Sequence, residues 1–295
     1  MRVFVTGATG FIGSAVVPEL MKAGHQVLGM ARSDAGAKFL EGIGAKVHRG
    51  DLEDLDSLRK GAEQSDGVIH LAFNHDFSKF EAVCETDRRA VEALGSGIAG
   101  SDRPLVITSG TGIVRTQGRP STEDDAASSA IPRVASEQAA AALAAQGKRV
   151  SVVRLPQVHD TVKQGLITYL IAVARQKGVS AYVGDGLNRW TAVHVLDCAR
   201  LYRLVLEKGK AGAHYHAVAE EGVSLRDIAD VIGRGLKLPV VSISPEKAAE
   251  HFGWLAHFVA FDIPASSALT QERLGWRPIG PALLSDLESM SYFPA

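Results

Sequence analysis

Short apolar runs alternate, along the first half of the chain, with longer stretches whose apolar positions recur every three to four residues. The runs Val3–Thr6, Gln26–Ala31, Lys46–Arg49, Gly67–Ala72, Pro104–Thr108 and Val150–Leu155 have the length and the boundaries of buried strands. Between them, Gly13–Ala23, Ala35–Gly42, Lys79–Ile98 and the Ala-rich Val134–Ala145 read as helices, with Gly24 ending the first and Gly147 the last. Strand followed by helix, repeated, gives a parallel sheet covered on both faces, with ligands at the carboxyl ends of the strands. After Pro156 the pattern loosens into short elements punctuated by Gly184, Gly186, Pro239, Pro264 and Pro278, while Val193–Leu206 and Ala213–Val218 read as a helix and a strand returning to the sheet. The expected class is α/β, a doubly wound parallel sheet. Residues 1–155 form its main unit, with 190–220 returning to it, and 156–189 and 221–295 form a smaller, mostly C-terminal substrate-binding region.

The turn after the first strand carries the clearest chemistry. Residues 6 to 13 read Thr-Gly-Ala-Thr-Gly-Phe-Ile-Gly, between the apolar run Val3-Phe4-Val5 and the helical stripe Ile12, Val16, Leu20. Gly7 permits a tight turn, Gly10 lets backbone N–H groups approach a pyrophosphate, and Gly13 lets the helix pack closely on the strand. The helix N-terminus adds unpaired N–H groups and a partial positive charge. Strand, glycine turn and helix in this order predict a Rossmann-type dinucleotide site.

The next strand addresses which dinucleotide. An acidic residue at its end would hold a ribose 2′-OH and a basic one a 2′-phosphate. Here the strand ends Met30-Ala31-Arg32-Ser33-Asp34. Arg32 suits a phosphate and Ser33 can add a hydrogen bond, which favours NADP; Asp34 keeps NAD open. Asp51, before Leu52, can accept from an adenine amino group or cap a helix over Leu52–Lys60.

Bulk properties narrow the remaining classes. The chain has 295 residues, 46% hydrophobic and 22% charged, enough for a large core. A net charge of −1 without a basic stripe gives nucleic-acid binding no electrostatic support. Cys84 and Cys198 read as reduced thiols, no charged-then-apolar leader precedes the first strand, and no apolar run would span a bilayer, so a cytoplasmic protein is expected. His214-Tyr215-His216 alternates on a strand but lacks a third ligand at metal-site spacing, so no metal is expected. No Gly-x-Ser-x-Gly elbow supports hydrolase chemistry.

The chain resembles the short-chain dehydrogenase/reductase superfamily, in its extended, epimerase/dehydratase-like branch, from Met1 to about Pro281. The resemblance is carried by Thr6–Gly13, Gly50-Asp51-Leu52, His70-Leu71-Ala72, Ile107–Thr111, Arg154-Leu155-Pro156, Gly184-Asp185-Gly186 through Trp190, Val193-His194-Val195 and Asp197. It implies a nicotinamide cofactor lined by Thr9, Phe11, Ile12, Leu71, Ala72, Thr108 and Leu155, and a small-molecule substrate. It leaves open a homodimer through Lys79–Ile98 and Arg133–Ala145.

In this family a Ser or Thr after the fifth strand is followed by Tyr-x-x-x-Lys on the next helix, the pair that moves the proton and holds the nicotinamide ribose. Here Arg133 and Glu137 stand at those positions, and Tyr is absent between Met1 and Gln157. Three accounts compete: a surface ion pair between Arg133 and Glu137, a reassigned site, and a non-catalytic NADP(H) sensor. In the reassigned site Glu137 accepts from the ribose hydroxyls, and Arg133, which stays protonated, stabilises a developing oxyanion without supplying a proton. Thr108, Ser109 or Thr111 takes the Ser/Thr place, and His159 or His75 remains as a titratable group. The reassigned site, an oxidoreductase acting on a small carbonyl or alcohol, ranks first.

Overall fold

The computed structural model describes residues 1–100 and 102–290. Its strands are β1 (Arg2–Thr6), β2 (Gln26–Ala31), β3 (Lys46–Arg49), β4 (Gly67–His70), β5 (Leu105–Gly110), β6 (Val150–Leu155), β7 (Gln157–His159), β8 (Ser180–Val183), β9 (Arg189–His194), β10 (His214–His216), β11 (Glu220–Ser224) and β12 (Val240–Ile243). The helices are α1 (Gly13–Lys22), α2 (Asp34–Gly42), α3 (Leu55–Glu63), α4 (Phe80–Gly97), α5 (Val134–Ala145), α6 (Ile167–Lys177), α7 (Val195–Lys208), α8 (Leu225–Leu236), α9 (Ala248–Phe252), α10 (Ala256–Val259), α11 (Ala268–Leu274) and α12 (Leu283–Glu288).

Seven strands form one parallel sheet in the order β10-β6-β5-β4-β1-β2-β3. Val3, Phe4 and Val5 are all fully buried, because helices cover both faces and no polar alternation is needed. On one face Val16 and Leu20 of α1 pack with Leu201 and Val205 of α7. On the other, Leu58, Leu94 and Leu143 bring in α3, α4 and α5. A third apolar cluster joins α6, α8 and α12 around Trp190 of β9. The strand order reverses beside β1, so the edge where β1, β4 and β5 end is the topological switch point of the sheet. Among the described residues no helix is long and apolar enough to cross a membrane.

At three boundaries the difference from the sequence pattern accompanies a side-chain hydrogen bond. The strand expected to reach Ala72 leaves the ladder after His70, and the Ala72 N–H turns to the Thr6 hydroxyl at 3.3 Å. The helix expected from Leu52 starts at Leu55, since Asp54 is the capping residue, accepting from the Ser57 N–H at 3.0 Å. Asp51 instead accepts from the Glu53 N–H at 3.0 Å. The helix expected from Val193 starts at Val195, where the His194 ring accepts from the Leu196 N–H at 3.3 Å.

Candidate active site

The glycine turn is shaped by three separate contacts. Gly7 has φ +65°, and a Cβ there would lie 2.7 Å from the Ala72 nitrogen. A Cβ on Gly13 would lie 2.1 Å from the Gly7 carbonyl oxygen. Gly10 donates its N–H to Gly7 at 2.9 Å, and a Cβ there would meet only that same oxygen, at 3.2 Å. Thr9 and Gly10 are exposed. Among the described residues the Phe11 and Ile12 N–H groups have no hydrogen-bond partner, so two donors at the start of α1 face a cradle that any Cβ on Gly10 would enter. These residues fit a dinucleotide pyrophosphate.

At the end of β2, Arg32 is exposed and only loosely paired with Asp51, at 3.6 Å. Ser33 caps α2, accepting from the Gly36 N–H at 3.1 Å, which leaves its hydroxyl hydrogen free to donate elsewhere. Arg49 holds Asp34 at 2.7 Å and the Ser33 carbonyl at 2.7 Å. The one carboxylate on this loop that would favour a ribose hydroxyl is thus engaged, while two guanidiniums converge on the loop. Leu52 packs on the apolar cluster beneath.

Under the switch point runs a buried polar chain. His70 Nε2 donates to Asp87 Oδ1 at 3.1 Å, and its Nδ1 then accepts from the Thr6 hydroxyl at 2.7 Å. Asp87 Oδ2 accepts from Arg133 Nη1 at 2.6 Å and from Ser136 at 2.5 Å. Arg133 Nη2 donates to the Thr108 carbonyl at 2.6 Å, and the Thr108 hydroxyl meets the His70 carbonyl and the Tyr202 hydroxyl, each at 2.7 Å. Burial opposes ionisation of Asp87, yet Arg133, His70 and Ser136 hold its carboxyl well below the usual range. Burial pushes the Tyr202 phenol up. The chain ties the glycine turn to β5, α4 and α5. Asp87 carries the one sequence signal for it, a carboxylate on the buried stripe Val83, Ala90, Val91, Leu94 of α4. His70 lies in a quoted motif without a role, and Tyr202 gives no signal.

The surface pair between Arg133 and Glu137 does not form. Glu137 turns to β6, where Arg154 grips it bidentately at 2.9 and 2.8 Å, with His214 at 3.3 Å. Against the cost of burial, hydrogen bonds from Arg154 and His214 hold the Glu137 carboxyl at about 2. Arg154 is fully buried and also meets His216 of β10 at 3.4 Å. Burial and that cation lower His216 to about 4.

Of the remaining candidates, Ser109 is buried at the end of β5 with its hydroxyl unpaired. Thr111 meets the Thr191 hydroxyl at 3.1 Å and the Leu155 carbonyl at 3.4 Å. Leu71 packs with Leu155 on the cluster under the turn. His159 is buried among C-terminal elements, its Nδ1 2.8 Å from Asp286 of α12, and burial lowers its pKa. His75 lies on the loop after β4, exposed, in edge contact with Phe73, whose ring covers Arg133 at 4.4 Å. Desolvation by that loop, then the charges of Lys163 and Arg133, hold its imidazole below the usual value. A separate groove of about 500 Å³ lies between α1 and α7, and meets the glycine turn only along Phe11 and Ser14.

The model of the NAD-dependent epimerase/dehydratase family matches residues 3–219. The chain belongs to that family. Within it, this member is 49% identical over 295 residues to an uncharacterized protein of Schizosaccharomyces pombe, covering 99% of this chain and 100% of that one. It is 25% identical over 320 residues to the UDP-glucose 4-epimerase of Streptomyces lividans, covering 94% of this chain and 91% of the relative. The dTDP-glucose 4,6-dehydratase of Streptomyces venezuelae, solved with NAD bound, shares the fold with a TM-score of 0.78 at 20% identity, over 98% of this chain and 96% of that one. Set in this epimerase/dehydratase scaffold, Arg133 at the start of α5 and Glu137 in its first turn serve different partners, Asp87 under the switch point and Arg154 on β6, the strand beside β5.

Proposed function

We propose that the protein is an NADP(H)-dependent oxidoreductase that interconverts a small carbonyl compound and its alcohol at the carboxyl ends of β4 and β5. The observation that carries this reading is the pair of unpartnered amides, Phe11 and Ile12, facing the open cradle at Gly10. When bound, the reduced nicotinamide would supply the hydride that becomes the new C–H bond of the alcohol. NADP is preferred over NAD because Arg32, exposed and held only loosely by Asp51, can turn to a 2′-phosphate while Arg49 pairs with Asp34. Arg32→Ala should weaken NADPH binding about tenfold or more and leave NADH within about twofold, since one charge-assisted contact is worth roughly 1.5–3 kcal/mol. Titration of each dinucleotide checks this, and tighter NADH binding by the unaltered protein would overturn the preference.

Arg133 stays protonated and is held by Asp87 and the Thr108 carbonyl, so it can stabilise negative charge on the substrate oxygen; the unpaired Ser109 hydroxyl at the end of β5 is assigned as a second donor. His75 is assigned the proton. As imidazolium it protonates the oxygen that gains the carbonyl electron pair, and as neutral imidazole it takes the proton back in alcohol oxidation. Because its pKa lies below 6.5, carbonyl reduction should fall as pH rises through that value while alcohol oxidation rises. His75→Ala should lower both rates about a hundredfold and flatten both profiles. The test is NADPH oxidation with a panel of aldehydes and ketones across pH 5–8, where unchanged profiles in the variant would remove His75 from the mechanism.

One observation favours a second reading, an NADP(H)-binding sensor: the charges of Arg133 and Glu137 are both satisfied inside the protein. A sensor binds NADPH with no turnover on any member of the panel.

A further inference from the structure

Aromatic side chains from the loop after β4 and from the segment carrying α10 form one wall. At its inner end Phe73 covers the Arg133 guanidinium at 4.4 Å. From there ring contacts pass through His75 to Phe77, at 5.5 and 6.0 Å. Phe77 stacks on Trp254 with centroids 4.7 Å apart and planes within 10°. Phe258 of α10 meets Phe77 edge-on at 5.6 Å, and beyond α10 Phe261 lies under the Arg115 guanidinium at 4.0 Å. Arg115 follows the turn after β5, so both ends of the aromatic run are anchored on the β5 edge. The segment carrying α10 is itself fixed, since Asn188 donates to the Val259 and Phe261 carbonyls at 2.9 and 3.0 Å.

The two cations at the ends of the run differ. Arg133 is paired with Asp87. Arg115 is exposed and, among the described residues, contacts only the face of Phe261. Its neighbours in sequence and space are neutralised: Arg119 by Asp125, and Arg189 by a bidentate contact with Asp262 at 3.0 and 2.8 Å. A sugar diphosphate would call for several free cations in this region. Lys163, whose ammonium lies over the Phe11 ring at 5.6 Å, belongs to the glycine-turn side; along the wall itself the described residues offer aromatic faces and one guanidinium fork, which matches a π-system carrying a single carboxylate.

We infer that the substrate is a planar aromatic carbonyl compound bearing a carboxylate, its ring against the Phe77–Trp254 wall, its carboxylate on Arg115 and its carbonyl toward Arg133. The inference rests on the oxidoreductase reading above and names the substrate class of that site.

Binding at equilibrium tests it without turnover. Trp254 is exposed whereas Trp190 and Trp276 are buried, so quenching of tryptophan emission reports occupation of the wall. The probes are 4-carboxybenzaldehyde, benzaldehyde and UDP-glucose, each titrated into the full-length protein with and without NADP⁺. The expected order places 4-carboxybenzaldehyde about tenfold or more tighter than benzaldehyde, with UDP-glucose weakest. Arg115→Gln, an exposed change that spares the fold, should abolish the preference for the carboxylate and leave benzaldehyde affinity within about twofold. Trp254→Phe should remove the optical signal while calorimetry still detects binding. Tighter binding of UDP-glucose, a carboxylate preference that survives Arg115→Gln, or no binding of either aldehyde overturns the inference. Reduction of aliphatic or sugar carbonyls without aromatic binding sinks the substrate class and spares the oxidoreductase reading. Arg115-dependent binding without NADPH oxidation does the reverse.

Discussion

Replacing Arg154 by Met should destabilise the protein by about 3–5 kcal/mol, the cost of leaving one member of a buried ion pair without its partner. Arg154 and Glu137 are both buried, and the guanidinium also donates to the Asp125 carbonyl at 3.0 Å, so its loss unpairs a carboxylate and releases the loop after β5 together. For a chain of this length the melting temperature should fall by roughly 10 °C. Adding Glu137→Leu should recover most of the loss, because an apolar pair of similar volume carries no desolvation penalty. The pH dependence has a definite sign. Burial raises the Glu137 carboxyl, but Arg154 and His214 outweigh it and hold the group at about 2, below its ordinary 4.5. Its share of stability is therefore present above 4.5 and lost as pH falls from there through about 2. Arg154→Met removes that advantage, so its acid-unfolding midpoint should move to higher pH. Calorimetry and acid titration of the single and double variants decide the matter, and a single variant within about 1 kcal/mol of the parent would show that the pair is not a brace.

Dinucleotide binding should be lost in Gly10→Val with little change in the melting temperature of the free protein. The only atom near a Cβ at Gly10 is the Gly7 carbonyl oxygen, at 3.2 Å, so the fold needs a small adjustment. The side chain instead fills the approach to the Phe11 and Ile12 amides. Two hydrogen bonds to a charged phosphate, at roughly 1.5–3 kcal/mol each, correspond to about a hundredfold or more in Kd. Gly13→Val provides the contrast, because its Cβ would lie 2.1 Å from backbone and should damage folding itself. Retained binding in Gly10→Val would place the pyrophosphate elsewhere.

Much of the scaffold is legible in the sequence. Each strand and helix of the parallel sheet announces itself through a local period, and the glycine turn needs only adjacent residues to be read. Arg32 and Ser33 were likewise found by counting to the end of the second strand. The pairing of charges was not legible in this way. Helical spacing put Arg133 and Glu137 on one face and suggested that they meet, but spacing gives no weight to stronger partners supplied by other segments. Asp87 lies 46 residues from Arg133 in a part-buried contact, and Arg154 lies 17 from Glu137 in a buried one. His159 illustrates the same limit: its position after the sixth strand suggested a place in the cleft, and Asp286, 127 residues away, holds it among C-terminal elements.

By itself the sequence determined the family, the layered sheet and the glycine turn after the first strand, because those depend on local periodicity and on backbone that only glycine permits. The tertiary structure alone decided which charges cancel and which stay available. In a buried environment each ionised group takes the partner that best offsets its desolvation, wherever in the chain that partner lies. Arg133 and Glu137 were therefore drawn apart to Asp87 and Arg154, and Arg115 has no ion-pair partner among the described residues and lies on an aromatic wall.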